Sequence, residues 1–457
     1  MVDNFPEYLI LIIICLFSLL CYSLFFKKPK DGFELPPSPR TLPIIGHLHL
    51  LLSGSTHKSL QKLSSRYGPL FHLNIFSVPV IFVSSASVAY EIFREHEVNF
   101  SFRGTPPIDE SLLVGSFGFF TAPYGGHWKF MKKQMVTKLL GPQALERSRG
   151  IRGYEREGFH ASLLDKAVKN ERVEIGKEAM KFANNIICKM IMGRSCNEEN
   201  GEAERVRDLV AESTALTMMI FVANMFQRPL KKLGITLFRK EIMSVSHRFN
   251  EELFLGGTDT SKQTIQWTMA RIINNPKVIE RLREEMDSVV GKSRLIQETD
   301  LPNLPYLQAV VKEGLRMYPP VPLFGRRLQE GCKMGRFYVA EHTTLVVNGY
   351  AIMRDPNYWE DPDEFKPERF LGEQGDEIRE QVLKYLSFGS GRRGCPGSNL
   401  AYIFLGTAIG MMIQCFDWRI KGVEVNLEET LSGMVLTMTH PLKCTPVPRI
   451  CSFPARH

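Results

Sequence analysis

Apolar positions along the chain form two kinds of pattern. The first is an unbroken run: Tyr8 to Phe26 carries no charge and is almost wholly apolar, close to the ~20 residues that span a bilayer as a helix. Behind it, apolar residues recur at helical spacing over 175–195, 202–226, 237–275, 276–291 and 304–317, and 398–415 reads as an apolar helix. Asn275-Pro276 separates two of these helices, because the residue before proline avoids the right-handed helical region. Residues 70–84 are instead rich in β-branched and aromatic residues and predict a hairpin broken near Pro79, while 335–348 predicts short strands. The fold class expected is mainly α with minor antiparallel β.

The flanks of the first run decide between anchor and cleaved signal. The run is longer than a usual signal core, and no small-x-small cleavage site follows it. Asp3 and Glu7 precede it and Lys27, Lys28 and Lys30 follow; positive residues stay cytoplasmic. A single-pass transmembrane anchor over 8–26 with a cytosolic remainder is therefore expected. Pro36, Pro37, Pro39 and Pro43 make 27–46 a basic, proline-rich hinge, stiff because proline fixes φ. From His47 to His457 there is no second linker, repeat or low-complexity tract, which predicts one catalytic domain over 47–457.

Composition narrows the function classes. The 457 residues are 44% hydrophobic and can bury a large core. The net charge of +8 is scattered rather than concentrated, so no nucleic-acid footprint is present. A basic face suits an anionic membrane surface or an acidic partner equally well. Nine cysteines at irregular spacing are no disulfide framework and fit a reducing compartment. His440, Cys444, Cys451 and His457 match no standard zinc spacing.

The most informative stretch is Phe388-Gly-Ser-Gly-Arg-Arg-Gly-Cys-Pro-Gly397. Four glycines around one cysteine imply a loop whose backbone approaches a flat object closely. The helix expected from Ser398 places the sulfur near a helix amino terminus, which favours thiolate. An overlapping pattern, Gly389-x-Gly391-x-x-Gly394, matches the dinucleotide fingerprint of a dehydrogenase, with Asp417 about 20 residues on. Its context fails: Pro396 and two arginines occupy the turn, and no strand–helix–strand alternation extends a sheet on either side.

This loop resembles the haem-binding signature of the cytochrome P-450 family, Phe-x-x-Gly-x-Arg-x-Cys-x-Gly, at Phe388, Gly391, Arg393, Cys395 and Gly397. Glu313-Gly-Leu-Arg316 is similar to the family's Glu-x-x-Arg on its K helix, and Pro367-Glu-Arg-Phe370 to its Pro-Glu-Arg-Phe. Gly256-Gly-Thr-Asp-Thr-Ser261 resembles the oxygen-activation motif of the central I helix, in wording closest to the plant microsomal, A-type members. Trp128 and Lys132 match the C-helix Trp-x-x-x-Arg except that lysine replaces arginine, and Arg327 matches the basic residue after the K helix.

The resemblance implies haem b (iron protoporphyrin IX) with Cys395 as the axial iron ligand. It implies Asp259 and Thr260 as the proton-relaying pair and Trp128, Lys132, Arg327, Phe388, Gly391 and Arg393 around the cofactor. Glu313, Arg316 and Arg369 would form a structural triad. The implied activity is insertion of one atom of dioxygen into a small hydrophobic substrate, of triterpenoid or phenylpropanoid type by family habit. Electrons would come from a membrane-bound NADPH diflavin reductase docking on Lys129, Lys132, Lys133 and Arg392, at the endoplasmic reticulum membrane. Apolar lining candidates are Phe117, Phe119, Phe120, Val321, Leu323, Met434 and Leu436.

One stretch departs from the family. Between Asn250 and the oxygen-activation motif the family supplies several tens of residues that are missing here. The expectation is one helix in which 241–255, carrying Ser244, His247, Arg248, Asn250 and Glu251, stands in for the start of helix I and must pin its register. A haem-binding but poorly active variant is the alternative reading.

Overall fold

The computed structural model describes residues 34–43, 45–52, 55–75, 78–102, 119, 122–194, 252–372 and 384–449. The expected anchor over 8–26, the helix over 202–226 and the stand-in helix up to 251 lie outside the described residues. The longer helices are α1 (Thr56–Tyr67), α2 (Ala86–Arg94), α3 (Gly126–Met135), α4 (Arg149–Val168), α5 (Ile175–Met192), α6 (Glu252–Ile273), α7 (Pro276–Val289), α8 (Pro305–Met317) and α9 (Ser398–Cys415). Strands are β1 (Leu70–Ile75), β2 (Val78–Val83), β3 (Val173–Glu174), β4 (Leu323–Arg327), β5 (Cys332–Met334), β6 (Phe337–Val339), β7 (Thr344–Asn348), β8 (Phe416–Ile420), β9 (Glu429–Ser432), β10 (Val435–Met438) and β11 (Lys443–Pro448). The fold is mainly helical with minor sheet.

The largest sheet runs β1-β2-β7-β4 and is antiparallel except for the β2–β7 pair. Pro79 does not break the hairpin as expected but sits inside β2, opposite Asn74. The physical reason is in the ladder: pairing with β7 begins only at Val80, so on that side proline forfeits no bond. Part of the expected hinge lies along this sheet: the carbonyls of Pro36 and Pro37 stand 2.8 and 2.9 Å from His72 Nδ1 and its amide, and Gly46 bridges to Ile75. A three-stranded β3-β11-β8 sheet and the β5–β6 and β9–β10 hairpins complete the described strands. Among the described residues, no strand–helix–strand alternation of a dinucleotide-binding unit is built.

The core gathers around α9. Phe404, Leu405, Ala408, Ile409, Met411, Met412 and Ile413 are all buried, each large side chain contributing ~1.5–3 kcal/mol by leaving water. Among the described residues α9 alone is long and apolar enough to cross a membrane, but 72% of it is buried inside the protein, so its apolarity serves the core.

Close approaches fix α6. A Cβ on Gly257 would stand 3.0 Å from Ile187 Cδ1 of α5, and one on Gly314 of α8 would stand 2.2 Å from Thr268 Oγ1. Trp267 stacks on Tyr318 with centroids 4.0 Å apart, and its Nε1 reaches the carbonyl of Leu436 at 3.4 Å. These contacts hold the register of α6 from Gly257 onward; the expectation placed on 241–251 lies outside the described residues. The cysteines also differ in part: Cys188 on α5 is disulfide-bonded, whereas Cys332, Cys395, Cys415 and Cys444 are not. One such bond among the described cysteines is still no framework. His440 is exposed, Cys444 is buried in β11, and Cys451 and His457 lie outside the described residues.

Candidate cofactor and active site

The glycine-rich loop is shaped by two residues in the left-handed region, Gly389 (φ 67°) and Gly391 (φ 70°), where any side chain would be strained. The Cys395 amide donates to the Phe388 carbonyl at 2.9 Å and the Gly394 amide to the Gly391 carbonyl at 2.9 Å, closing the loop on itself. Cys395 is exposed just before α9 begins, while Arg393 and Leu400 on either side are buried. Phe388 packs on Tyr402 of α9, and Ser387 Oγ donates to the Leu315 carbonyl of α8 at 3.0 Å.

Beside the loop, Arg393 donates to the carbonyls of Ser101 (2.8 Å), Phe119 (3.3 Å) and Ala122 (2.6 Å), with its guanidinium 4.4 Å from the Trp128 ring centroid. Lys132 Nζ donates to the Arg392 carbonyl at 2.6 Å and lies 5.2 Å over the same ring; burial pushes its ammonium pKa down. Trp128 is 2% exposed, yet its Nε1 has no partner among the described residues. An orphaned buried N–H ringed by cations suits a carboxylate, because a buried donor left unpaired costs ~1–3 kcal/mol. With an exposed sulfur on an adjoining glycine-rich loop, this donor set fits haem, propionate included. Arg327, on β4, spends its Nε on the His342 carbonyl at 3.2 Å.

The triad residues meet. Glu313 and Arg316 are fully buried and joined twice, at 2.7 and 2.9 Å, and Arg369 Nε reaches Glu313 at 3.2 Å. The Lys366 amide donates to Glu313 at 2.9 Å and Arg316 Nη1 to the Met353 carbonyl at 2.7 Å, so α8 is tied to the Pro367–Phe370 turn.

On α6, Thr260 Oγ1 donates to the Gly256 carbonyl at 2.5 Å, and Thr264 Oγ1 to the Thr260 carbonyl at 2.9 Å. Asp259 is paired with Lys262 Nζ at 3.2 Å. Lys262 was missed in the sequence, although its i, i+3 spacing signals such a pair. Of the lining candidates, Phe119 stacks on Trp128 at 5.4 Å, and Leu436 is fully buried in the core. Met434 is half-buried at the turn between β9 and β10; Phe117 and Phe120 lie outside the described residues.

A cytochrome P450 family profile matches residues 36–251 and 247–446, two stretches that meet at 247–251. Cytochrome P450 705A22 of Arabidopsis thaliana is 58% identical over 501 residues, covering 98% of this chain and 97% of the relative. Cytochrome P450 705A20 of the same plant is 59% identical, covering 97% and 96%. The 3,9-dihydroxypterocarpan 6A-monooxygenase of Glycine max is 36% identical, covering 97% and 99%. An alignment over 501 residues exceeds the 457 residues of this chain, so the relative carries segments without a counterpart here.

Proposed function

The chain belongs to the cytochrome P450 family and is a haem-thiolate monooxygenase; on that premise we propose that Cys395 is its iron ligand and that it oxidises a hydrophobic plant specialised metabolite with electrons from a membrane-bound NADPH diflavin reductase. The observation that carries the assignment is the exposed Cys395 on its glycine-bent loop beside the orphaned Trp128 N–H. Haem held by a thiolate supplies dioxygen activation. Trp128, Lys132 and Arg393 bind and orient it, with Arg327 contributing from β4. Gly391 bends the loop and Phe388 packs it on Tyr402 of α9.

Proton handling falls to α6. Asp259, paired with Lys262, can pass protons inward, and Thr260 presents a hydroxyl one residue on. Substrates of triterpenoid or phenylpropanoid type are proposed, the second supported by the substrate named for the Glycine max relative. Lys129, Phe130 and Lys133 are exposed on α3 next to the loop, which supports reductase docking there. The anchor over 8–26, hinge over 27–46 and domain over 47–457 place catalysis on the cytosolic side of the endoplasmic reticulum membrane.

A second reading, a haem-binding but weakly productive variant, is favoured by one observation, the family match that breaks at 247–251. In this reading the block missing before α6 costs productive coupling rather than haem binding. Reconstitution with the reductase separates the readings: NADPH-dependent oxygen uptake yields oxidised product, or chiefly peroxide. In the second case, a family-typical segment grafted between Asn250 and Glu251 raises product per NADPH. No NADPH-dependent oxygen uptake by the haem-loaded chain overturns both.

A further inference from the structure

The basic surface beside the loop already holds a carboxylate of its own. Glu97 lies just past the end of α2, and Arg392 Nε donates to its Oε2 at 3.1 Å. The Glu97 side chain rests on the loop that carries Cys395: a Cβ on Gly391, whose φ is 70°, would stand 3.4 Å from Glu97 Cγ and 3.5 Å from its Oε1. On its other side Arg392 Nη1 donates to the Tyr124 hydroxyl at 2.7 Å, and Lys129 Nζ covers the Tyr124 ring 5.2 Å from its centroid. Lys132, bonded to the Arg392 carbonyl, feels the same acid: burial lowers its ammonium pKa and the Glu97 charge works against that.

The acid is out of place by charge. Among the described residues, Lys129 and Lys133 have no carboxylate within ion-pair reach, and Glu97 is the acid paired with Arg392. Val98 and Phe130, next in sequence to Glu97 and Lys129, are 53% and 59% exposed, so apolar area stands among the cations, as it does in protein interfaces. Stability does not explain Glu97, since its side chain is 32% exposed and that of Arg392 44%, and such exposed pairs are worth little. Association is affected more. A negative charge inside a basic surface weakens the field that steers an acidic partner, and a partner's carboxylate cannot reach Arg392 until Glu97 gives way.

We propose that Glu97 is an internal competitor at the docking surface: it occupies Arg392 in the free chain, and the acidic, electron-donating partner protein replaces it there with a carboxylate of its own. On the docking reading of Lys129, Lys132, Lys133 and Arg392, on which this rests, the exchange sets both the affinity and the ionic strength at which the partner lets go. A merely structural Glu97 would lower stability on removal and leave docking no stronger.

The full haem-loaded chain in phosphatidylcholine vesicles, which carry no net charge, is titrated with a plant NADPH diflavin reductase. Docking is read twice, as anisotropy of the dye-labelled reductase and as the rate at which NADPH produces the ferrous carbon-monoxide band. Glu97→Gln keeps the size of the side chain and removes its charge. It should tighten docking about two- to fivefold at about 0.05 M salt, the worth of one exposed pair, and change it by less than about 1.5-fold at about 0.5 M, where screening is nearly complete. Arg392→Gln should weaken docking, and Glu97→Gln added to it should gain less than about half as much on a logarithmic scale, because nothing is left to compete for. Docking unchanged or weakened by Glu97→Gln, or the same gain with and without Arg392, overturns the proposal. Dithionite separates the failures: a thiolate band with dithionite but no reductase binding in any variant overturns the proposal alone. No thiolate band even with dithionite overturns the monooxygenase reading, while anisotropy still reports on the competition.

Discussion

Replacing Glu313 by glutamine removes the carboxylate from between two guanidiniums. Its oxygens serve Arg316 at 2.7 and 2.9 Å, Arg369 at 3.2 Å and the Lys366 amide at 2.9 Å, and both Glu313 and Arg316 are fully buried. A glutamine keeps one acceptor and turns an NH2 toward a guanidinium, leaving Arg316 as an uncompensated buried cation. Breaking a buried pair from one side costs about 3–5 kcal/mol, against a total stability of about 5–15 kcal/mol. Arg316 retains the Met353 carbonyl and Arg369 the Glu360 carbonyl, which argues for the lower end. Trp359, whose ring centroid is 5.2 Å from the Arg316 guanidinium, is a local reporter, so urea unfolding followed by tryptophan fluorescence reads the loss. Removing both charges as Glu313→Leu with Arg316→Met should recover part of it, because no buried charge is left unpaired. A Glu313→Gln chain within about 0.5 kcal/mol of wild type, or a double variant less stable than the single one, would refute the reasoning.

Three further outcomes are expected. Gly314→Ala should destabilise by about 1–3 kcal/mol through collision with Thr268, and adding Thr268→Ala should restore most of it; simple additivity in the unfolding cycle would show no collision. Glu429, which burial would raise but bonds from His57, Lys58 and Tyr350 hold at about 2 against an ordinary 4.5, contributes stability that is complete above about pH 4.5 and lost as pH falls toward 2; thermal midpoints should drop by the equivalent of about 3 kcal/mol over that window in wild type and much less in Glu429→Gln. Protease added outside sealed microsomes should digest the domain beyond Lys27, and protection of the whole chain would reverse the proposed orientation.

Short-range chemistry was legible in the sequence. The spacing of Glu313 and Arg316, the boundary at Asn275-Pro276 and the apolar length of α9 all depend on neighbours within a turn or two, and the structure builds each accordingly. What hid was whatever the tertiary fold redefines. The helix α4 escaped notice because its buried face carries Arg152 and Glu155, which read as solvent-facing until Glu298 and Lys189 arrive to pair them at 2.6 and 2.5 Å. The stacking of Phe119 on Trp128 joins positions nine apart across a loop, which no helical or strand period reveals. The bonds from His57 and Tyr350 to Glu429 join positions 57, 350 and 429, a separation no periodicity reveals.

The most direct test of the central claim is the ferrous, carbon-monoxide difference spectrum of the full-length chain beside its Cys395→Ala variant. The chain as it stands should give the red-shifted Soret band of a thiolate-ligated haem, and Cys395→Ala should lose that band, because the exposed Cys395 is proposed as the iron ligand. A band that persists unchanged in Cys395→Ala, or a wild-type chain that binds haem without it, would contradict the assignment.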